Sequence, residues 1–104
     1  MRCIYFIAVL LQPLDLRIRN WTAYHGYLGD TMTIKHVSMD HISVDAPKAK
    51  NTQVVLREDF ELVWDVWRDY KAQRVKRYEL RDMTYYSKYI KSILQWYERE
   101  KSSN

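Results

Sequence analysis

A run of cations mixed with tyrosines in the last third of the chain is the pattern with the clearest chemical meaning. Residues 71–91 hold seven basic and two acidic side chains, so this window has a net charge of +5 in a protein whose formal net charge is +4. The same window contains Tyr78, Tyr85, Tyr86 and Tyr89. Cations neutralise phosphates and aromatic rings stack on bases, so the pattern is typical of a surface that binds nucleic acid.

We predict that this window binds DNA or RNA through phosphate contacts and one exposed ring. The residues concerned are Arg74, Lys76, Arg77, Arg81, Lys88, Lys91 and Tyr85. The alternative is that these cations form the solvated face of a helix while the tyrosines pack inward. No zinc-finger spacing, helix-turn-helix glycine or RNP-type sequence accompanies the window, so sequence-specific recognition is not predicted.

Histidines and carboxylates offer a second kind of chemistry. His36 and His41 flank a predicted turn that contains Asp40, an arrangement that could hold a metal across a hairpin, but no cysteine pair or helical His-x-x-x-His supports it. His25, in an aromatic segment, is the better candidate for a general acid or base. Asp45 precedes Lys48 with a proline between them, a spacing that disfavours a magnesium nuclease. We therefore predict no catalytic residue, metal or cofactor, and the small-molecule ligand is open.

Aromatic residues suggest a protein-interaction module as the alternative function. The chain has nine Tyr, four Trp and two Phe, many for a core of this size. Trp and Tyr are enriched at interface hot spots. The predicted interface residues of a homodimer are Trp64, Trp67, Trp96 and Tyr89.

Length and cysteine content indicate a small intracellular domain. A chain of 104 residues suits one domain with a modest core, so residues 1–104 are predicted to fold as a unit. The single cysteine, Cys3, has no partner for an intramolecular disulfide, which favours the cytoplasm. The apolar run over residues 3–11 is far shorter than the roughly 20 residues of a membrane-spanning helix. It is predicted to be a buried strand, and no membrane association is expected.

Strand patterns fill the first half of the chain, over residues of about 2–45. Alternation of apolar and charged residues over 14–19 predicts a half-buried strand. The segment 21–30 contains both glycines and is predicted to be a loop. Residues 32–45 are predicted to form a hairpin whose turn lies near Ser38 to Asp40. A second loop is predicted over 45–53.

Helical patterns fill the second half. Apolar residues with helical spacing predict a first helix over about 57–71, with the buried stripe Phe60, Val63, Trp64 and Trp67. A second helix is predicted over about 82–101, capped by Asp82 or Thr84, with the buried stripe Tyr86, Ile90, Ile93 and Tyr97. Lys88 and Lys91 fall on its predicted outer face. The conformation of residues 74–81 is open.

Strands followed by helices predict an α+β fold. We expect a small N-terminal antiparallel sheet of three to four strands, covered on one face by two C-terminal amphipathic helices. A parallel sheet would need a crossover helix between strands, and the pattern offers none in the first half of the chain.

Overall fold

Four strands form the sheet in a computed structural model that describes residues 16–47 and 49–102. They are β1 (Arg17–Thr22), β2 (Gly26–Val37), β3 (His41–Asp45) and β4 (Gln53–Leu56). Each strand pairs antiparallel with the next, so their order in space is their order in the chain. The predicted antiparallel sheet is confirmed. The strand predicted over residues 3–11 lies outside the described residues.

The first hairpin occupies most of the region predicted to be a loop. Only residues 23–25 separate β1 from β2. Gly26 has a φ of 71°, a left-handed conformation that glycine adopts without steric penalty. Gly29 lies within β2 and has no such φ. The loop prediction over 21–30 is wrong because it treats both glycines as loop residues, whereas only Gly26 belongs to the turn.

The second hairpin was predicted more accurately than the strand that follows it. The turn lies at residues 38–40, as predicted, and the Ser38 N–H donates to the His41 carbonyl over 2.9 Å. The predicted strand region ends at residue 45, but the sheet has a further strand, β4, which pairs with β3. This fourth strand has only four residues and runs directly into the first helix, so its pattern is too short to recognise.

Over the residues that the structure describes, four helices follow the sheet, where the sequence predicted two. They are α1 (Arg57–Asp65), α2 (Trp67–Lys71), α3 (Arg77–Met83) and α4 (Ser87–Ser102). The first predicted helix is interrupted at Val66, whose φ of −114° and ψ of 11° are not helical. The second begins at Ser87, since Thr84 is extended and its Oγ1 accepts the Tyr86 N–H over 3.1 Å. Among the described residues, no helix combines the length and apolar character needed to cross a bilayer.

The core lies between the helices and one face of the sheet. In the first predicted stripe Phe60, Val63 and Trp67 are buried, whereas Trp64 is 36% exposed. In the second, Ile90, Ile93 and Tyr97 are buried and Tyr86 is partly buried. The sheet contributes Ile18, Met32, Ile34, Ile42, Val44 and Val55. Within the described residues, helices and sheet therefore share one apolar core, as expected for this α+β fold.

Candidate nucleic-acid interface

A cleft of about 570 Å³ opens between the first hairpin turn and helix α3. We call it the basic cleft. Its walls are Tyr24 and His25 on the turn, and Lys76, Arg77, Tyr78 and Arg81 at the start of α3. None of these lining residues is acidic. Three of the predicted phosphate contacts, Lys76, Arg77 and Arg81, thus lie in one cleft.

Hydrogen bonds fix the two walls of the basic cleft against each other. The Tyr24 hydroxyl donates to the Val75 carbonyl over 3.0 Å. The Gln73 side-chain amide donates to the Ala23 carbonyl, also over 3.0 Å. Gln73 has a φ of 64°, so this bond coincides with a left-handed reversal of the chain between α2 and α3. Residues about 50 positions apart in the chain are therefore held together on this surface.

The three cations of the basic cleft are exposed. Within residues 16–47 and 49–102, none of Lys76, Arg77 and Arg81 forms an ion pair. The Nζ atom of Lys76 lies 5.7 Å from the centre of the Tyr24 ring. Glu79, the acid nearest in sequence to Lys76 and Arg77, accepts the backbone N–H of Lys76 over 3.1 Å. Because these cations have no carboxylate partner, they can neutralise the charge of a bound anion.

Arg74 and the neighbouring Lys71 lie apart from the basic cleft. The Nε and Nη2 atoms of Arg74 both contact Asp69 Oδ1 at 2.9 Å. The Nζ atom of Lys71 contacts Glu98 Oε1 at 2.7 Å. Both cations line a different cleft, which contains acidic as well as basic residues. Part of the positive charge counted in the sequence is therefore neutralised within the protein.

Lys88 and Tyr85 line another cleft, between the β3–β4 loop and the start of α4, which we call the second cleft. Tyr85 is 82% exposed. Its ring meets the Tyr86 ring edge-on, with centroids 5.1 Å apart. Tyr89, predicted as an interface residue, is partly buried and lines the same cleft. Five of the seven predicted contact residues thus lie in these two clefts, three in the basic cleft and two in the second.

Lys91 is buried, and its predicted position on the outer face of the second helix is wrong. The residue is only 4% exposed, and its Nζ atom lies 5.8 Å from the centre of the Tyr70 ring. Burial, followed by the positive charges of Arg77 and Lys88, lowers the pKa of Lys91 to about 8. Helix α4 buries five consecutive residues, 90–94, so its buried face is wider than the predicted stripe. Lys91 is therefore unsuited to direct phosphate contact.

The predicted interface residues are divided between the core and the surface. Trp67 is 3% exposed, and its Nε1 donates to Glu98 Oε1 over 2.6 Å, so this ring belongs to the core. Trp64 is the most exposed of the three predicted tryptophans, and Trp96 is partly buried against the core. Burial of Trp67 follows from its contacts with the Trp21 and Tyr70 rings, at 5.8 and 5.7 Å between centroids.

The histidine hairpin forms as expected, but as a hydrogen-bonded turn. The rings of His36 and His41 lie 5.3 Å apart, and His41 Nδ1 is 2.9 Å from Asp40 Oδ1. Hydrogen bonds from Ser38 and then from His41 lower the pKa of the exposed Asp40 carboxyl. Among the described residues, no group of three or more His, Cys, Asp or Glu side chains could hold a metal ion. His25 lies elsewhere, in the basic cleft.

The first hairpin contributes to the site in a way that the sequence does not reveal. Tyr24 and His25 lie on a short turn within the segment predicted to be a loop, and of the two only His25 is a predicted candidate, as a general acid or base. Asn20, which lines the second cleft, gave no signal because an asparagine in a strand is ordinarily just a polar residue.

Comparisons with models of protein families, with curated proteins and with solved structures found no match.

Proposed function

We propose that this protein is a non-enzymatic binding protein that binds nucleic acid through the basic cleft. The supporting observation is that Lys76, Arg77 and Arg81 line one cleft whose lining, over the part of the chain that the structure describes, includes no acidic residue. Nucleic acid presents phosphates at regular intervals, and each cation that neutralises a phosphate releases condensed counterions. Arginine is well suited to this role because its planar guanidinium can donate two parallel hydrogen bonds to one phosphate.

Exposed aromatic rings favour a single strand over a duplex. Tyr78 in the basic cleft is 56% exposed, and Tyr85 in the second cleft is more exposed still. Unpaired bases can stack on such rings, whereas bases within a duplex present only their edges. The cytoplasmic location favoured by the single Cys3 forms part of this proposal, because single-stranded RNA is abundant there.

The experiment is a titration of labelled single- and double-stranded DNA and RNA, followed by fluorescence anisotropy at several salt concentrations. The double variant Arg77→Gln/Arg81→Gln should bind a single strand at least about 100-fold more weakly, because two lost charge-assisted hydrogen bonds at roughly 1.5–3 kcal/mol each amount to at least about 3 kcal/mol. The slope of log Kd against log salt should decrease by about 0.7 for each lost contact.

The matched control is Arg17→Gln/Arg68→Gln, which removes the same charge from two exposed arginines outside the basic cleft. We expect its affinity to stay close to that of the wild-type protein. Equal losses in the two double variants would mean that net charge, and not the basic cleft, causes binding. Absence of salt-sensitive binding at low salt would refute the proposal.

A homodimer is the alternative proposal, favoured by exposed apolar residues at the β4 edge of the sheet. Val54 and Leu56 are each 44% exposed, and among the described strands β4 pairs only with β3. An unpaired strand edge with apolar side chains is a template for pairing with a second copy. Light scattering tests it directly, since a mass of 12.7 kDa at micromolar concentration would refute the dimer.

A further inference from the structure

The second cleft contains a buried amide whose nitrogen has no hydrogen-bond acceptor in the described part of the chain. Asn20 lines this cleft of about 300 Å³ although it is only 2% exposed. Its Oδ1 accepts a long hydrogen bond of 3.4 Å from Ser92 Oγ, and its Nδ2 has no acceptor among residues 16–47 and 49–102. Among the described residues no fully buried side-chain N or O atom lacks a hydrogen-bond partner, so Asn20 Nδ2 reaches the space of the cleft and can donate to an atom bound there.

Strand β1 and helix α4 hold Asn20 in place. The Trp21 N–H donates to Ser92 Oγ over 3.0 Å, and Ser92 Oγ also lies 3.2 Å from the Lys88 carbonyl. Ser92 is itself buried. The side chain of Asn20 is therefore oriented by a buried cluster and not by solvent, as expected for a group that recognises a ligand.

The rest of the second cleft offers groups of the kind that bind a nucleotide. Tyr85 is mostly exposed at the cleft. Its ring meets the Tyr86 ring edge-on, which leaves a face of the Tyr85 ring on which a base can stack. Lys88, the second residue of α4, adds its charge to the partial positive charge at the amino end of this 16-residue helix. Gln53 and Asp30 add an amide and a carboxylate that can pair with polar edges of a base or sugar.

Lys91 shows that the two clefts are neighbours. Arg77 of the basic cleft and Lys88 of the second cleft both lie close enough to Lys91 for their charges to act on its ammonium group. A strand whose phosphates contact Arg77 can therefore continue toward Lys88.

We infer that the second cleft binds one unpaired nucleobase of a single strand, with Asn20 hydrogen-bonding the edge of the base and Tyr85 stacking on its face. This inference rests on the proposed function, because the phosphates of the same strand lie on the basic cleft. It also explains why Tyr85, the most exposed of the large hydrophobic residues in the described chain, lies beside a buried amide.

The test compares a single-stranded oligonucleotide with a strand of the same length that lacks bases. The wild-type protein should bind the strand with bases at least about fivefold more tightly, since stacking contributes roughly 1–3 kcal/mol per base. Tyr85→Ala should abolish this preference and leave the affinity for the abasic strand unchanged. The control Tyr27→Ala, which removes a partly exposed ring outside both clefts, should keep the preference.

Failure of this inference differs from failure of the proposed function. Equal, salt-sensitive binding of both strands by the wild-type protein would overturn the base site while supporting phosphate binding in the basic cleft. If neither strand binds, a titration with nucleoside 5′-monophosphates, followed by NMR of the Asn20 side-chain amide, decides the matter. A shift of that resonance with the nucleotides but not with ribose 5-phosphate would support the base site, and no shift would overturn it.

Discussion

Replacing the buried Lys91 by methionine should stabilise the protein at neutral pH. Methionine keeps the apolar stem of the side chain against Tyr70 and removes a charge that burial and two neighbouring cations disfavour. Lowering the pKa from 10.5 to about 8 corresponds to at most about 3 kcal/mol, at roughly 1.4 kcal/mol for each pH unit. Attraction between the ammonium group and the Tyr70 ring offsets about 1 kcal/mol of this, so we expect a gain of about 1–3 kcal/mol.

The pH dependence distinguishes this electrostatic effect from better packing. Below pH 8 Lys91 is charged in both the folded and unfolded states, and the folded state bears the full penalty. Between pH 8 and 10.5 the folded protein releases the proton while the unfolded chain retains it, so the wild-type protein gains stability relative to Lys91→Met as the pH rises. The advantage of the variant should therefore shrink over this window.

The assay is urea denaturation followed by tryptophan fluorescence at pH values from about 7 to 10, with the free energy of unfolding extrapolated to water. Lys91 is faced by Arg77 from α3, by Lys88 from α4 and by Tyr70 from α2. All three residues are present in both proteins, so their own titration largely cancels in the difference between the two free energies of unfolding. The control Lys50→Met removes an exposed lysine that is not among the groups perturbing Lys91 and should change stability by less than about 0.5 kcal/mol. A stability difference that is absent at pH 7, or that stays constant up to about pH 10, would refute this account of Lys91.

Two further predictions concern the surroundings of Lys91. Phosphates bound near Arg77 and Lys88 would favour the charged form of Lys91, so binding should take up a proton and the affinity for a single strand should fall above about pH 8. Anisotropy titrations over this pH range should show the decrease in the wild-type protein but not in Lys91→Met, and identical pH profiles would exclude the coupling. Tyr70→Phe should destabilise the protein by about 1–3 kcal/mol, because the fully buried Tyr70 hydroxyl accepts the Ala23 N–H over 3.0 Å and its loss leaves that donor without a partner. Tyr27→Phe, which changes a partly exposed hydroxyl, is the control in the same urea titration, and an equal effect of the two changes would show that the buried bond is unimportant.

Short-range patterns carried enough information to predict the class of fold. Alternation along β1, the turn at residues 38–40 and the helical spacing of Phe60, Val63 and Trp67 depend on neighbours within one or two turns of the chain. Element boundaries were predicted less well. The break at Val66 and the four-residue strand β4 have no local signal, because packing against other elements determines where they begin and end.

The candidate site was predicted in part. The window of cations and tyrosines pointed to Lys76, Arg77 and Arg81, which the fold places in one cleft. The same reasoning could not separate them from Arg74, which Asp69 neutralises, because that pairing depends on the geometry between α2 and α3. Charge counted along the chain therefore overestimates the charge available to a ligand.

Sequence by itself determined which residues are apolar, their periodicity and hence the antiparallel sheet followed by helices. Only the tertiary structure decided that Lys91 is buried, that Tyr24 reaches Val75 across 51 positions, and that Asn20 approaches Ser92 across 72. The physical reason is that periodicity assigns each residue to a face of its own element, whereas burial and partners depend on which other element covers that face. A lysine at the margin of a helical stripe is solvated or buried according to the position of its neighbours, and here α2 covers it with Tyr70.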